Sequence, residues 1–455
     1  MRRLLAFGSI ALVTLAIWTG CGSAGGTGSD TTAPATGAGS GGTAGDAGAG
    51  GASAGTGGSS ATGGSGGITQ TTASTLTGKV TAPEGTIPIS GALVYLSPTP
   101  PDPIPDGVYC DKCVQLTGGI PFTTTKPDGT FELGTSSSEG YLVVQKGAFR
   151  RVRKISVQPG DQQLAPELTR MPAKMDKANG DDVPKIAVVL GAWDPIEIVL
   201  ARMGLAATIT KDVFGKARVL GKDAPGFAIY GVHDFNEQSP YPAPMTLLST
   251  PAELEKYHIV FLPCSGSTNS NTGGPNDPAC NGVFASSGAV SSTLEGFVKK
   301  GGRVYASDWS YEYVRQIFKG FVTWKNESTA IGSACFSGGG DQAATVPDAG
   351  LEAWLKAQGK TLDTVKDAWT HVDHVNGKAD VDADGKPVTE TPKVWVKAAS
   401  DPASTSFKHG CGRVLYSTYH TQPTSETNGP LEPQALSLLY LILEVGVCIN
   451  VNEPG

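Results

Sequence analysis

The distribution of apolar residues along the chain falls into four stretches. Leu4 to Trp18 is a short, largely apolar run behind Arg2 and Arg3. From residue 22 to 75 there is no apolar period, and Ile68 is the only large aliphatic side chain. From about residue 76, apolar and polar positions alternate in short segments: Thr77–Thr81, Ile89–Leu96, Thr123–Leu133, Gly140–Gly147 and Arg153–Val157. Alternation of period two with turn residues between predicts β-strands, and their spacing predicts a small β-sandwich over 76–170. Asp128-Gly129 between two β-prone runs predicts a hairpin. From residue 184 the pattern changes. Continuous apolar runs at Lys185–Leu190, His258–Pro263, Arg303–Ser307 and Gly412–His420 predict buried strands. Helical periods at Ile196–Met203, Ser291–Lys300, Tyr311–Phe318, Ala349–Gln358 and Glu432–Val445 lie between or after them, with Ser292 expected as an N-cap. Such alternation predicts an α/β unit over 184–455, a parallel sheet covered by helices.

Composition explains the second stretch. Gly, Ala, Thr and Ser fill 49 of the 54 positions from 22 to 75. Such a segment cannot bury enough apolar surface to offset its ordering entropy. It reads as a flexible tether (21–75), with an r.m.s. span of roughly 40 Å. The formal charge of −7 without a basic run argues against nucleic acid as a partner. Leu4–Trp18 is shorter than the ~20 residues a membrane span needs, and its basic flank is that of a secretory signal, residues 1–20. Thr19-Gly20-Cys21 resembles a bacterial lipobox. That resemblance implies acylation of Cys21 and attachment to a membrane, and Gly22 after it implies the outer membrane.

Seven cysteines remain beyond Cys21. Export makes disulfides the default. Cys110 and Cys113 form an isolated C-x-x-C with no second ligand pair nearby, so a local disulfide is expected. Cys411 precedes the last strand, and Cys448 follows the last helix. Strand and helix lengths nearly cancel, which predicts a Cys411–Cys448 bridge. Cys264, Cys280 and Cys335 then share one bridge and one free thiol.

Gly78-Lys-Val, Gly91-Ala-Leu-Val-Tyr-Leu and Pro127-Asp-Gly-Thr-Phe-Glu-Leu resemble the carboxypeptidase regulatory-like domain, which implies a prealbumin-like sandwich with a structural or adhesive role. Tyr257–Cys264, Leu294–Ala306 and Gly412–His420 resemble the class I glutamine amidotransferase-like, flavodoxin-like fold, nearest its trehalose-utilisation-like branch. The whole chain is similar to a group of bacterial lipoproteins with this two-part plan.

Ligand groups of an open α/β sheet gather beyond the carboxyl ends of its strands. Asp194, Cys264, Asp308 and His420 are expected there and are predicted to line one crevice, with Trp193, Ser265, Ser307 and Trp309 beside them. The amidotransferase resemblance places a nucleophilic cysteine at the strand-to-helix elbow, but Ser307-Asp308-Trp309 stands there. His420 matches the catalytic histidine position, whereas Gln422 replaces the expected glutamate. The expectation is therefore a catalytically degenerate domain in a tethered binding or structural module. The alternative is a hydrolase of cell-envelope or carbohydrate substrates using Asp308 and His420, which needs a carboxylate or hydroxyl within ~3 Å of the His420 ring. Trp and Tyr beside carboxylates suit a glycan or peptide ligand. No cofactor or metal is expected. His371-Val-Asp373-His374 mixes metal-ligand types, but His371 and His374, three apart on a strand, face opposite ways. Asp380, Asp382 and Asp384 before Gly385 open like a calcium loop or an ordinary hairpin turn. Lys146, Arg150, Arg151, Arg153 and Lys154 form either an anion-binding patch or a solvated strand face.

Overall fold

The structure, a computed structural model, describes residues 74–191, 193–205, 209–211, 217–219, 226–231, 241–264, 286–421, 430–443 and 449–450, apart from 112, 113 and 117. Cys21, Ser265, Gln422 and the tether lie outside the described residues, which belong to one compact unit.

The amino-terminal part contributes two sheets. Strands β1 (Ser74–Lys79), β4 (Thr130–Thr135) and β7 (Gly160–Gln163) form one. Strands β2 (Leu93–Ser97), β3 (Phe122–Thr124), β5 (Glu139–Lys146), β6 (Phe149–Ser156) and β8 (Asp181–Asp182) form the other. Leu76, Phe131 and Leu133 from the first pack with Val94, Leu142 and Val144 from the second. The Asp128-Gly129 turn is not a hairpin. It passes the chain from β3, paired with β2, to β4, paired with β1. The three arginines of the basic run form neither an anion site nor a solvated face, while Lys154 is exposed beside Glu139. Arg150 is buried against Asp182 at 2.9 Å, and Arg151 and Arg153 both hold Asp181 at 2.8 Å.

A nine-stranded sheet forms the carboxyl-terminal part. Its strands are β9 (Ile186–Val189), β10 (Ala228–Tyr230), β11 (Ile259–Leu262), β12 (Arg303–Ser307), β13 (Gln342–Thr345), β14 (Thr364–Val365), β15 (Lys393–Ala398), β16 (Asp401–His409) and β17 (Gly412–Ser417). The spatial order is β10-β9-β11-β12-β17-β16-β15-β13-β14. The first five are mutually parallel. β9 and β11 are buried at every position, as expected of strands covered on both faces. The other four run antiparallel, so the sheet is mixed rather than parallel throughout. Trp395, Val396 and Phe407 on β15 and β16 are buried, which draws this hairpin into the sheet.

Helices α1 (Ile196–Arg202), α2 (Gly288–Lys299), α3 (Tyr311–Ile317), α4 (Ala349–Ala357) and α5 (Pro433–Leu443) accompany it. α2 buries Val290, Leu294, Phe297 and Val298 along one face. Ser287, not Ser292, occupies its N-cap position, and the Ser292 hydroxyl instead bonds back to the Ala289 carbonyl. Gly301 follows at φ 112°, where a Cβ would collide with the Tyr109 carbonyl.

That approach of Tyr109 leads to the disulfide. Cys110 bonds Cys411, with Cα atoms 5.2 Å apart. The expected Cys110–Cys113 and Cys411–Cys448 bridges therefore do not form. Cys411 does sit at the amino end of its strand, but the segment after β2 reaches that edge: the Val108 N–H bonds the Glu255 carbonyl, and Arg303 faces Asp111 at 3.6 Å. Cys113 and Cys448 lie outside the described residues. Cys335 is disulfide-bonded, and Cys264 is a buried thiol outside any disulfide. The two parts also share one buried cluster from Leu76 to Leu443, and the Trp354 indole on α4 donates to the Pro88 carbonyl at 2.7 Å.

Candidate functional site

Two carboxylates organise the carboxyl ends of the parallel strands. Two residues beyond β9, Gly191 passes so close to the Cys264 carbonyl that a Cβ has no room. This brings the segment carrying Trp193 and Asp194 against the end of β11, and the Trp193 N–H reaches the Cys264 carbonyl at 3.3 Å. Asp194 is fully buried. One of its oxygens accepts from the Ser307 hydroxyl at 2.6 Å, the other from the Thr421 N–H at 2.9 Å and the Thr421 hydroxyl. Ser307 in turn accepts the Cys264 N–H at 2.9 Å. Asp194 thus ties the ends of β9, β11, β12 and β17.

The second carboxylate is at the elbow between β12 and α3. Asp308 has φ 41°, a left-handed conformation that a non-glycine residue adopts at a cost. It is fully buried. Its Oδ1 accepts the Thr370 N–H at 2.7 Å. Its Oδ2 lies 3.0 Å from His420 Nε2 and 3.7 Å from the Cys264 sulfur. Its backbone carbonyl accepts the Tyr416 hydroxyl at 3.0 Å, and the Gln434 amide holds the His420 carbonyl at 2.7 Å. Burial works against a charged ring at His420, but the Cys264 sulfur and the Asp308 carboxylate outweigh it and hold its pKa well above the ordinary histidine range. Burial, with the Asp308 charge beside it, pushes the Tyr416 hydroxyl well up as well.

The structure thus brings Asp194, Cys264, Ser307, Asp308 and His420 into one polar centre. The expectation of an open crevice does not hold for these side chains: Asp194, Cys264, Ser307 and Asp308 are 0% exposed and His420 1%. A cavity of about 390 Å³ lies elsewhere, lined by Lys79, Glu84, Arg202, Lys360 and Leu431 among others.

No protein-family model and no curated protein matches the chain. Solved structures that share some geometry with it include two cytoplasmic proteins of Salmonella typhimurium, at 8% and 10% identity. They cover 57% and 58% of this chain and 98% of each of those chains, both with a TM-score of 0.28. A β-galactosidase of Rahnella sp. R3 aligns at 12% identity over 61% of this chain and 34% of its own, with a TM-score of 0.27. In this last case the match spans about a third of the enzyme. Similarity at this level transfers no property, and the site is read from its own chemistry.

Outside the polar centre lies an aromatic rim. Trp309, adjacent to Asp308, donates its indole N–H to the Cys335 carbonyl at 3.0 Å. Its ring meets Phe336 edge-on at 5.2 Å, and Phe336 meets Trp369 at 6.4 Å. Trp369 precedes the Thr370 that holds Asp308. Phe336 is 57% exposed, an unusual position for a phenylalanine, while the Trp193 and Trp369 indole nitrogens are buried and have no partner among the described residues. Sequence reasoning missed Phe336, Trp369, Thr370, Thr421 and Gln434. Only Thr421, beside His420, carried a positional hint.

The other candidates resolve as ordinary structure. His374 pairs with Asp373 on the surface, and buried His371 contacts Gln342, so the three do not converge. Asp380 is taken by His409 at 2.8 Å. Asp382 accepts the N–H groups of Asp384 and Lys386, which makes this segment the turn of a hairpin, Lys378–Val381 with Pro387–Glu390.

Proposed function

We propose that the protein is a membrane-tethered envelope lipoprotein that works as a binding module. In this reading its α/β part is a flavodoxin-like, amidotransferase-like domain without the amidotransferase chemistry, preceded by a prealbumin-like sandwich. The strand order second, first, third, fourth, fifth among the parallel strands supports the first part of that description. The observation that carries the functional reading is Asp308. At the elbow where a nucleophile would stand, its carboxylate is wholly buried and bound by a ring nitrogen, a thiol and a backbone N–H. Such a group fastens strand ends together. The exposed Phe336 edge of the aromatic rim is the surface left for a ligand, and an exposed aromatic face suits sugar rings or aromatic peptide side chains.

One observation favours the second reading, a hydrolase of envelope or carbohydrate substrates. His420 lies 3.0 Å from Asp308, the separation such an enzyme needs. Against it, Asp308 is 0% and His420 1% exposed, so a substrate has no access to the pair.

Probing a glycan and peptide array with the mature chain carrying Cys21→Ser separates these readings. Saturable capture of a ligand that mass spectrometry then finds intact supports the module. Release of a shortened product overturns it in favour of the hydrolase. Anchoring has its own check. A fatty-acid analogue fed to cells should label the unmodified protein and not Cys21→Ser, and equal labelling of both would refute acylation at Cys21.

A further inference from the structure

We propose that Cys264, Asp308 and His420 bind a zinc ion. Their ligand atoms lie within 4.8 Å of one another, and all three residues are buried. A tetrahedral zinc with bonds of ~2.3 Å to sulfur and ~2.0 Å to nitrogen and oxygen sets S···O at roughly 3.5 Å and N···O at roughly 3.3 Å. The corresponding separations here are 3.7 and 3.0 Å. These two separations lie within a few tenths of an ångström of the values for a zinc site.

The donor types matter as much as the distances. An aspartate–histidine pair has no use for a thiol, which is a weak hydrogen-bond donor. Sulfur, imidazole nitrogen and one carboxylate oxygen together suit zinc and not calcium or magnesium, which take oxygen ligands. Thiolate, carboxylate and neutral imidazole around a divalent cation sum to zero charge, the condition for burying the group.

Supporting contacts behind the ligands are those a metal site needs. Thr370 occupies Asp308 Oδ1 and leaves Oδ2 facing the cluster. Ser307 fixes the Cys264 backbone, and Gln434 fixes that of His420. The strained φ of Asp308 turns its side chain to this point. This inference stands apart from the ligand-binding reading, because it concerns the buried centre and not the aromatic rim.

The test uses the full chain with Cys21→Ser. After gel filtration in metal-free buffer and reloading with zinc, elemental mass spectrometry should find about one zinc per chain. Loading with cobalt should produce a sulfur-to-cobalt absorption band in the near ultraviolet, a reading on the protein with its site unmutated. Cys264→Ser and His420→Gln should lose the metal, and His374→Gln should keep it. A reloaded protein that takes up neither zinc nor cobalt would overturn the proposal. So would a cobalt band that persists in Cys264→Ser, because the sulfur would then belong to another cysteine.

Discussion

His258 shows how one side chain couples a loop to the sheet. Its Nδ1 accepts the Lys185 N–H at 2.8 Å, which leaves Nε2 to donate to the Pro105 carbonyl at 3.2 Å. The ring is therefore neutral in the fold. Burial, helped by the charges of Arg303 and Lys185 and opposed by the Pro105 carbonyl and Asp106, lowers its pKa to about 4. Because the unfolded chain binds this proton near pH 6.5 and the folded chain only near 4, stability is complete above 6.5 and declines as the pH falls through that window. The full difference amounts to about 3 kcal/mol. Urea unfolding of the unmodified protein between pH 7 and 5 should show the decline, and His258→Asn should flatten it. A slope equal in the two proteins would contradict this role.

At the scale of elements, β6 and β8 are joined by charge more than by length. β8 has two residues, Asp181 and Asp182, and both carboxylates are taken by arginines of β6. Removing one member of a buried pair leaves the other uncompensated. Asp182→Asn should cost ~3 kcal/mol in denaturant unfolding, and Arg150→Met with Asp182→Leu should recover much of it. A single variant as stable as the parent would show the pair to be incidental. This pairing also marks where sequence reading stopped. Runs such as Ile186–Val189 and Ile259–Leu262 are legible because burial on both faces leaves no polar position. Arg150 and Arg151 look like a surface patch because their partners lie some 30 residues on in a segment with no strand pattern. The polar centre was legible in part: Asp194, Cys264, Asp308 and His420 each follow a recognisable strand. The metal-ligand spacing was not, since 44 residues separate Cys264 from Asp308 and 112 separate Asp308 from His420. Spacing motifs report ligands on neighbouring turns, and these ligands are assembled by sheet order.

Over the whole molecule, the Cys110–Cys411 bridge joins residues 301 apart in sequence and closes the amino-terminal part onto the sheet. Constraining so long a loop stabilises by up to ~5 kcal/mol through the unfolded chain. The double variant Cys110→Ser with Cys411→Ser should unfold at lower denaturant, and an unchanged midpoint would mean that the packing between the parts suffices alone. The length argument for Cys411–Cys448 failed because it considered only the carboxyl-terminal elements, whereas the loop after β2 reaches the same sheet edge. Among the described residues no helix is long and apolar enough to cross a membrane. In the proposed function the buried centre fastens the sheet and ligand meets the aromatic rim. Affinity for the intact ligand recovered from the array, measured by calorimetry on Phe336→Ala, tests this most directly. Phe336 is 57% exposed, so its truncation should leave the melting temperature unchanged. The loss of one aromatic contact, ~1.4 kcal/mol, should weaken binding about tenfold. Equal affinity in Phe336→Ala and the parent protein would contradict the account.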